Sequence, residues 1–487
     1  MILDQRHFTR LDMLKILIVL GLAFYITSNL HLDYPYPLHG DEWVHWAQSE
    51  AILQANSTTF SEPFFGESNL SPASNLETGF HLYWGISHLV TDISWLEIFM
   101  YFPSIIFMIT VLIVYVFAER EGFGFEAALF TCLIPTTVGI LGPALLVPLS
   151  MGLLFIPLSL YVAFNFQTLS SYFILCIITI FLLIMHPPSA AITLTVFVPY
   201  ILLNIRNNFK HSLGITLALV TPFLVSFAWM FDRFIHEVGT FFTFQPHDTY
   251  VSIPSIIQTY GYLPIAFGLL GTVFMLIKGD KNKYGLIFGL LTLLALLVVF
   301  SRLHYGSSIL YQRGLMYLML MLAITAGYGL AWVRAISIPS KSTNKTIFVL
   351  AHNAGNLMCL VLICMVLAIG IPSRQQTLYN QFIDNEDYQA FTWISDHLDE
   401  RYSKAILDPW KATAFTAITQ KNVYTRIHEQ VKTSDSEAYD FLQGGCIDTS
   451  FLRENGISIV YGECDCDNPE LIEVRNGVYL FTDTEAK

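Results

Sequence analysis

The chain is dominated by apolar runs of the length that crosses a bilayer, and this feature restricts its architecture more than any motif does. About 20 apolar residues in helical form span the hydrocarbon core. Runs near that length occupy residues 13–32, 94–118, 125–141, 144–166, 170–185, 188–204, 212–231, 255–277, 284–300, 309–333 and 346–371. With 54% hydrophobic and 13% charged residues among 487, the apolar content exceeds what one soluble core can hide, since soluble domains carry about 25% charge. The expected fold is an α-helical polytopic membrane protein of about 11 transmembrane helices with a C-terminal extracytoplasmic α/β domain. The first run is too long for a signal-peptide core and lacks a small-residue cleavage site, so it reads as an uncleaved span.

Orientation follows from Lys and Arg, which are retained on the cytoplasmic side near span ends. With the N-terminus inside, Arg120, Arg206, Lys210, Lys278, Lys281, Lys283, Arg334 and the basic residues at either end of the span series fall inside. Apart from the ten basic residues of the tail, only Arg233, Arg302 and Arg313 fall in outer loops and span ends. This topology gives a transmembrane region over 1–372 and an outward domain over 373–487, in a plasma-membrane protein with membrane lipids as neighbours. A net charge of -13 lacks the basic footprint of a nucleic-acid binder, so no nucleic-acid partner is expected.

In the tail, Phe391, Ile394 and Leu398 form an apolar stripe that predicts a helix over 385–401. Strand-like runs follow at 405–407, 423–427 and 457–461, and a final pair flanks the Asn476-Gly477 hairpin signal. Cys446, Cys464 and Cys466 fit one disulfide with a spare thiol or three free thiols. The Cys464-Asp465-Cys466-Asp467 run lacks a second ligand pair at zinc spacing.

Three outward segments stand out: 31–92, 232–254 and 301–308. The first has no Lys or Arg and carries Asp33, Asp41, Glu42, Glu50, Glu62, Glu67, Glu77 and Asp92. Its string HGDEWVHWAQSEAIL places Asp41 at a helix start, with Trp43, Trp46, Ala47 and Leu53 recurring on one face. The pattern predicts an amphipathic helix at the membrane surface. An acidic pair there also serves ordinary capping and dipole compensation.

The GDEWVHW string after a first span, the many further spans and the outward α/β tail together resemble the GT-C superfamily of glycosyltransferases. These enzymes take sugars from polyprenyl-phosphate carriers, and the superfamily includes protein O-mannosyltransferases, aminoarabinose transferases and the catalytic subunit of oligosaccharyltransferase. The resemblance implies that Asp41 is the catalytic carboxylate and that Glu42 orients it or contributes to substrate or metal binding. It also implies a polyprenyl-phosphate-linked sugar as donor and a protein, lipid or glycan as acceptor. The leaving phosphate needs positive charge or hydrogen-bond donors rather than a strong general acid. Candidates are Arg302 and His304 in the last outer loop, and Arg313 with Tyr311 at the start of the following span. Arg313 reads equally as a snorkelling residue.

His186, before Pro187 and Pro188, is a further candidate or a local cap. Glu77 resembles a second acidic position late in the loop, with His81 one helical turn on. A divalent metal is compatible with these residues and not required by them, and its ligands are unassigned. The tail lacks the Trp-Trp-Asp-Tyr-Gly signature of oligosaccharyltransferases, Asp408-Pro409-Trp410 being the nearest string, and the loop lacks an Asp-x-Asp motif. The expected activity is inverting glycosyl transfer on the outer membrane face. The alternatives are a lipid-linked glycan ligase or polymerase, and a transporter or flippase without transferase activity.

Overall fold

The computed structural model describes residues 9–58, 60–66, 77–137, 139–229, 253–306, 308–337, 351–375, 381–427, 431–462 and 466–481. The outward segment 232–254 lies almost wholly outside them, as do Arg233, Glu67 and Cys464. In chain order the helices are α1 (Arg10–Ser28), α2 (Gly40–Ala55), α3 (Thr78–Thr91), α4 (Trp95–Glu119), α5 (Gly124–Cys132), α6 (Pro148–Asn165), α7 (Leu169–Met185), α8 (Pro187–Ile205) and α9 (Phe209–Trp229). They continue as α10 (Ile253–Tyr260), α11 (Tyr262–Lys278), α12 (Lys281–Leu303), α13 (Ser308–Arg334), α14 (Ala354–Gln375) and α15 (Asn385–His397). The remaining elements are β1 (Lys404–Ile406), α16 (Ala412–Thr419), β2 (Asn422–Val423), α17 (Thr433–Gln443), α18 (Thr449–Glu454), β3 (Ile459–Tyr461), β4 (Leu471–Arg475) and β5 (Val478–Phe481). The chain divides into two compact units, residues 1–33 with 101–378 and residues 34–100 with 379–487.

In the first unit the spanning helices follow from apolar length. Among the described residues, eight helices can cross a membrane: α1, α4, α6, α8, α9, α12, α13 and α14. The pair α10–α11, bent by 105° at Gly261 with φ 102°, makes a ninth if counted as one span, and α7 is apolar but shorter at 17 residues. The run at 125–141, expected to span, is helical only in α5. Pro135, Gly139, Gly142 and Pro143 end it, because proline removes a backbone donor and glycine costs helix entropy.

Helix α13 is the most buried span. It meets α11 backbone to backbone, since a methyl on Gly271 would strike the Thr325 carbonyl, and it meets α5 where Gly327 faces Ala127. Gly285 against Tyr200 and Gly289 against Val196 set α12 antiparallel to α8.

A buried cation secures the end of α14. Arg374 donates from Nε to the Leu133 carbonyl at 2.8 Å, from Nη1 to Thr259 O at 2.5 Å and from Nη2 to Tyr260 O at 2.9 Å. It thereby caps the C-terminal ends of α5 and α10, where helix carbonyls lack partners.

In the second unit a five-stranded sheet has the order β2-β1-β3-β5-β4. Strand β1 is parallel to β2 and β3, while β5 is antiparallel to β3 and β4. Gly477, with φ 72°, makes the β4–β5 turn that Asn476-Gly477 predicts. One face buries Ile406, Ala438, Phe441, Leu452 and Val460, beside a Cys446–Cys466 disulfide.

The early loop residues are bound to this domain. Tyr34 Oη donates to Ile383 O at 3.0 Å, Tyr36 Oη to Asn385 Oδ1 at 2.6 Å, and Val423 N to Phe64 O at 2.7 Å. Helix α2 packs on α16 and α3. Its polar side is covered as well, with Glu42, His45, Gln48 and Ser49 all buried, so it is an internal helix of this unit and not the half-exposed amphipathic helix that its pattern predicts.

Candidate functional site

The acidic pair at the start of α2 is split by its surroundings. His39 caps the helix, its Nδ1 accepting from Asp41 N at 3.1 Å. With Nδ1 so engaged, its 3.7 Å approach to Asp41 Oδ1 is not a hydrogen bond. Glu42 is fully buried and its Oε2 accepts from Leu38 N at 2.7 Å, which fixes the chain where it enters the helix. The Asp41 side chain keeps 21% exposure, so it is the carboxylate of the pair that meets solvent. A methyl placed on Gly40 would touch the Phe382 ring at 3.8 Å, and Phe382 stacks on Trp410 with centroids 5.8 Å apart.

An arginine that the sequence reading missed stands near Asp41. Arg426 lies over the Phe64 ring at 3.9 Å, and its Nη2 is 3.8 Å from Glu62 Oε1. Glu62 is fixed in turn by accepting from Phe64 N and Phe65 N at 2.9 and 2.8 Å. Arg426 Nη1 is buried and has no acceptor among the described residues. Burial lowers the pKa of Arg426, while the charges of Glu62 and Asp41 oppose that shift; an arginine stays charged throughout. Nothing in the local sequence marks it, because the contact joins residues far apart in the chain.

One turn along α2 from Asp41, His45 Nδ1 lies 2.9 Å from His81 Nε2 and 4.0 Å from Glu77 Oε2. Ligand atoms of His45, Glu77 and His81 all fall within 4.8 Å of one another. Glu77 occupies the N-cap position of α3 without capping it through its side chain. Burial first, and His45 second, hold the pKa of His81 well below 6.5, which keeps it neutral as a metal ligand must be. Its Nδ1 has no partner among the described residues. Two imidazoles and one carboxylate suit zinc or another first-row ion better than the all-oxygen shell magnesium prefers.

The other expected residues belong to the first unit. His186 joins α7 to α8, is 1% exposed, and shares a hydrogen bond between its Nδ1 and Ser189 Oγ. Ser189 Oγ is bonded in turn to Tyr317 Oη on α13. Arg313 lies four residues before Tyr317, close enough for its charge to act on that hydroxyl. Tyr311 is buried against Phe300, with stacked rings 4.9 Å apart, and so fills the α12–α13 interface. Arg302 is exposed in the last turn of α12, where it complements the helix dipole, and His304 ends that helix with φ 56°. The structure therefore joins His186 to the Arg313 region through two hydroxyls, gives Tyr311 a packing position, and leaves Arg302 at the surface.

No family model and no curated protein matches the chain. Solved structures do resemble it. The Archaeoglobus fulgidus oligosaccharyltransferase AglB, in complex with an inhibitory peptide and a dolichol-phosphate, superposes with a TM-score of 0.61 at 12% identity, over 93% of this chain and 70% of that one. ArnT from Cupriavidus metallidurans bound to undecaprenyl phosphate gives 0.58 at 12% identity, over 98% of both chains. The arabinofuranosyltransferase AftD from Mycobacteria gives 0.58 at 15% identity, over 95% of this chain but 37% of that one. With its apolar spans and small C-terminal sheet, the chain is an integral membrane protein with the GT-C fold.

Proposed function

We propose that the protein is an inverting glycosyltransferase that moves a sugar from a polyprenyl-phosphate carrier to a hydroxyl or amide acceptor on a protein, lipid or glycan. The observation that carries this reading is Asp41: a partly exposed carboxylate at a capped helix start, whose charge acts on the largely covered Arg426, within a GT-C fold. Dolichol-phosphate and undecaprenyl phosphate in the two similar structures support the carrier class.

In the reaction the acceptor attacks the anomeric carbon, and the bond from that carbon to the phosphate oxygen breaks with its electron pair. Asp41 takes or holds the acceptor proton, and the carrier phosphate leaves as a stable anion. Glu42 orients the helix start. Arg426 supplies positive charge on the Asp41 side, and His186 with Arg313 are the donors offered to phosphate. Under this reading the protein sits in the plasma membrane, with its N-terminus cytoplasmic and its α/β tail outside.

The test is release of polyprenyl phosphate by the purified protein from a panel of polyprenyl-phosphate sugars, with a membrane extract as acceptor. Release from at least one donor is expected. No release from any donor would turn the reading toward transport.

A further inference from the structure

The parallel strands β1 and β2 end on the same edge of the sheet, and the loops that leave them are joined by Ile427 N donating to Pro409 O at 3.1 Å. In α/β sheets ligands bind outside the carboxyl ends of parallel strands, where loops carry the side chains. The β1 exit runs Asp408-Pro409-Trp410-Lys411, a tight turn closed by Lys411 N donating to Asp408 O at 2.9 Å. Asp408 Oδ1 accepts from Trp410 N and from Tyr439 Oη on α17, both at 2.9 Å, so the turn is held from two sides.

On this fixed turn the Trp410 side chain is 42% exposed. Its ring stacks on Phe382, the same ring that a methyl on Gly40, the residue before Asp41, would touch. Helix α16 begins just after Trp410 and packs on α2. The β2 exit carries Arg426, on which the Asp41 charge acts. All of these residues belong to the second unit, so one edge of its sheet gathers Trp410, Asp408 and the start of α2. Trp410 Nε1 and Asp408 Oδ2 have no hydrogen-bond partner among the described residues.

We infer that Trp410, backed by Phe382 and flanked by Asp408, seats a sugar ring of the acceptor, and that the acceptor is a glycan. A sugar ring presents C–H bonds on its face and hydroxyls around its rim. An indole face with one donor at its edge and a carboxylate oxygen beside it matches both. A lipid chain on the same ring would leave the Asp408 carboxylate unpaired against apolar atoms. The ring belongs to the acceptor because Asp41, which takes the acceptor proton, shares this unit, while His186 and Arg313 belong to the other. That choice of acceptor over donor rests on the glycosyltransferase reading; the sugar platform itself does not.

The platform is tested without any donor. Full-length protein in phosphatidylcholine nanodiscs is titrated with oligosaccharides of mannose, glucose, galactose, arabinose and N-acetylglucosamine, and binding is read by saturation-transfer NMR. At least one is expected to bind wild type. Trp410→Ala should weaken it about tenfold or more, the worth of one aromatic contact with its hydrogen bond, and Trp410→Phe should recover most of the loss. Trp393→Ala, which removes a tail tryptophan stacked on His397, should bind as wild type does. No binding of any oligosaccharide, or equal binding by wild type and Trp410→Ala, overturns the platform whether or not the protein transfers sugar.

The acceptor assignment has its own readout. With a donor that supports release, Trp410→Ala should raise KM for the bound oligosaccharide by more than it lowers kcat. A loss of affinity for the polyprenyl-phosphate sugar instead, or transfer to peptide or lipid alone, overturns the assignment and leaves the glycosyltransferase reading standing. Thermal unfolding checks that each variant is folded. Should Trp410→Ala unfold, Asp408→Asn, which removes the carboxylate charge at the rim, decides both questions by the same readouts.

Discussion

The surroundings of Asp41 and those of His186 are built from opposite materials. Around Asp41 are Glu42, Glu62 and Glu77, one buried arginine and stacked aromatic rings, all on loop and domain elements. Around His186 are the hydroxyls of Ser189 and Tyr317, with the Arg313 charge acting on Tyr317, all on apolar helices of the first unit. A site rich in carboxylates suits receiving a proton or holding a cation. A seam of donors suits an anion. Under the proposed function, acceptor activation belongs with the first set of groups and acceptance of the leaving phosphate with the second.

The strongest way to break that division is Asp41→Asn. It should lower transfer by about 10²- to 10⁴-fold, the range for losing a general base, while undecaprenyl phosphate still binds. Equal loss of binding would merge the two roles. Arg374→Met probes the frame of the first unit: removing a cation that serves three carbonyls should cost roughly 3 kcal/mol or more, read as a lower midpoint of thermal unfolding. A midpoint within a degree of wild type would show that the clamp is dispensable.

Arg426→Gln should reduce turnover about 10- to 100-fold with carrier binding intact, since the guanidinium stands with Asp41 and not with the seam. If binding falls and turnover at saturation does not, Arg426 belongs with the phosphate. The histidine triad sharpens the acidic side further. Dialysis against zinc should leave about one equivalent bound, lost in His45→Ala and His81→Ala together, and a metal-free wild type would leave the pair as a hydrogen-bonded packing element.

The smallest effect concerns pH. The folded pKa of His81 lies below its unfolded value near 6.5, so the unfolded chain binds more protons as pH falls. Stability from this residue is fully present above about pH 6.5 and declines as pH drops toward the folded pKa. His81→Phe should flatten that decline in a pH series of unfolding midpoints, and a slope equal to wild type would place the acid sensitivity elsewhere.

Much of the fold was legible because it rests on local pattern. Apolar length located most spans, and Asn476-Gly477 located the last hairpin. The run at 125–141 misled because a hydropathy average does not register what Pro135 and Pro143 do to a helix. Helix α2 has an amphipathic sequence yet is covered on both sides, since α16 arrives from more than 350 residues further along the chain. The same limit hid Arg426, Arg374, Ser189 and Tyr317. Each gains its meaning from a partner on another element, and no local spacing encodes that pairing.

The stereochemistry of transfer tests the central claim most directly. With a donor that supports release, the anomeric configuration of the transferred sugar can be read from its proton coupling by NMR. A single displacement assisted by Asp41 predicts inversion relative to the carrier-linked sugar. Retention would require a covalent glycosyl-enzyme intermediate and a second carboxylate, and would contradict the account.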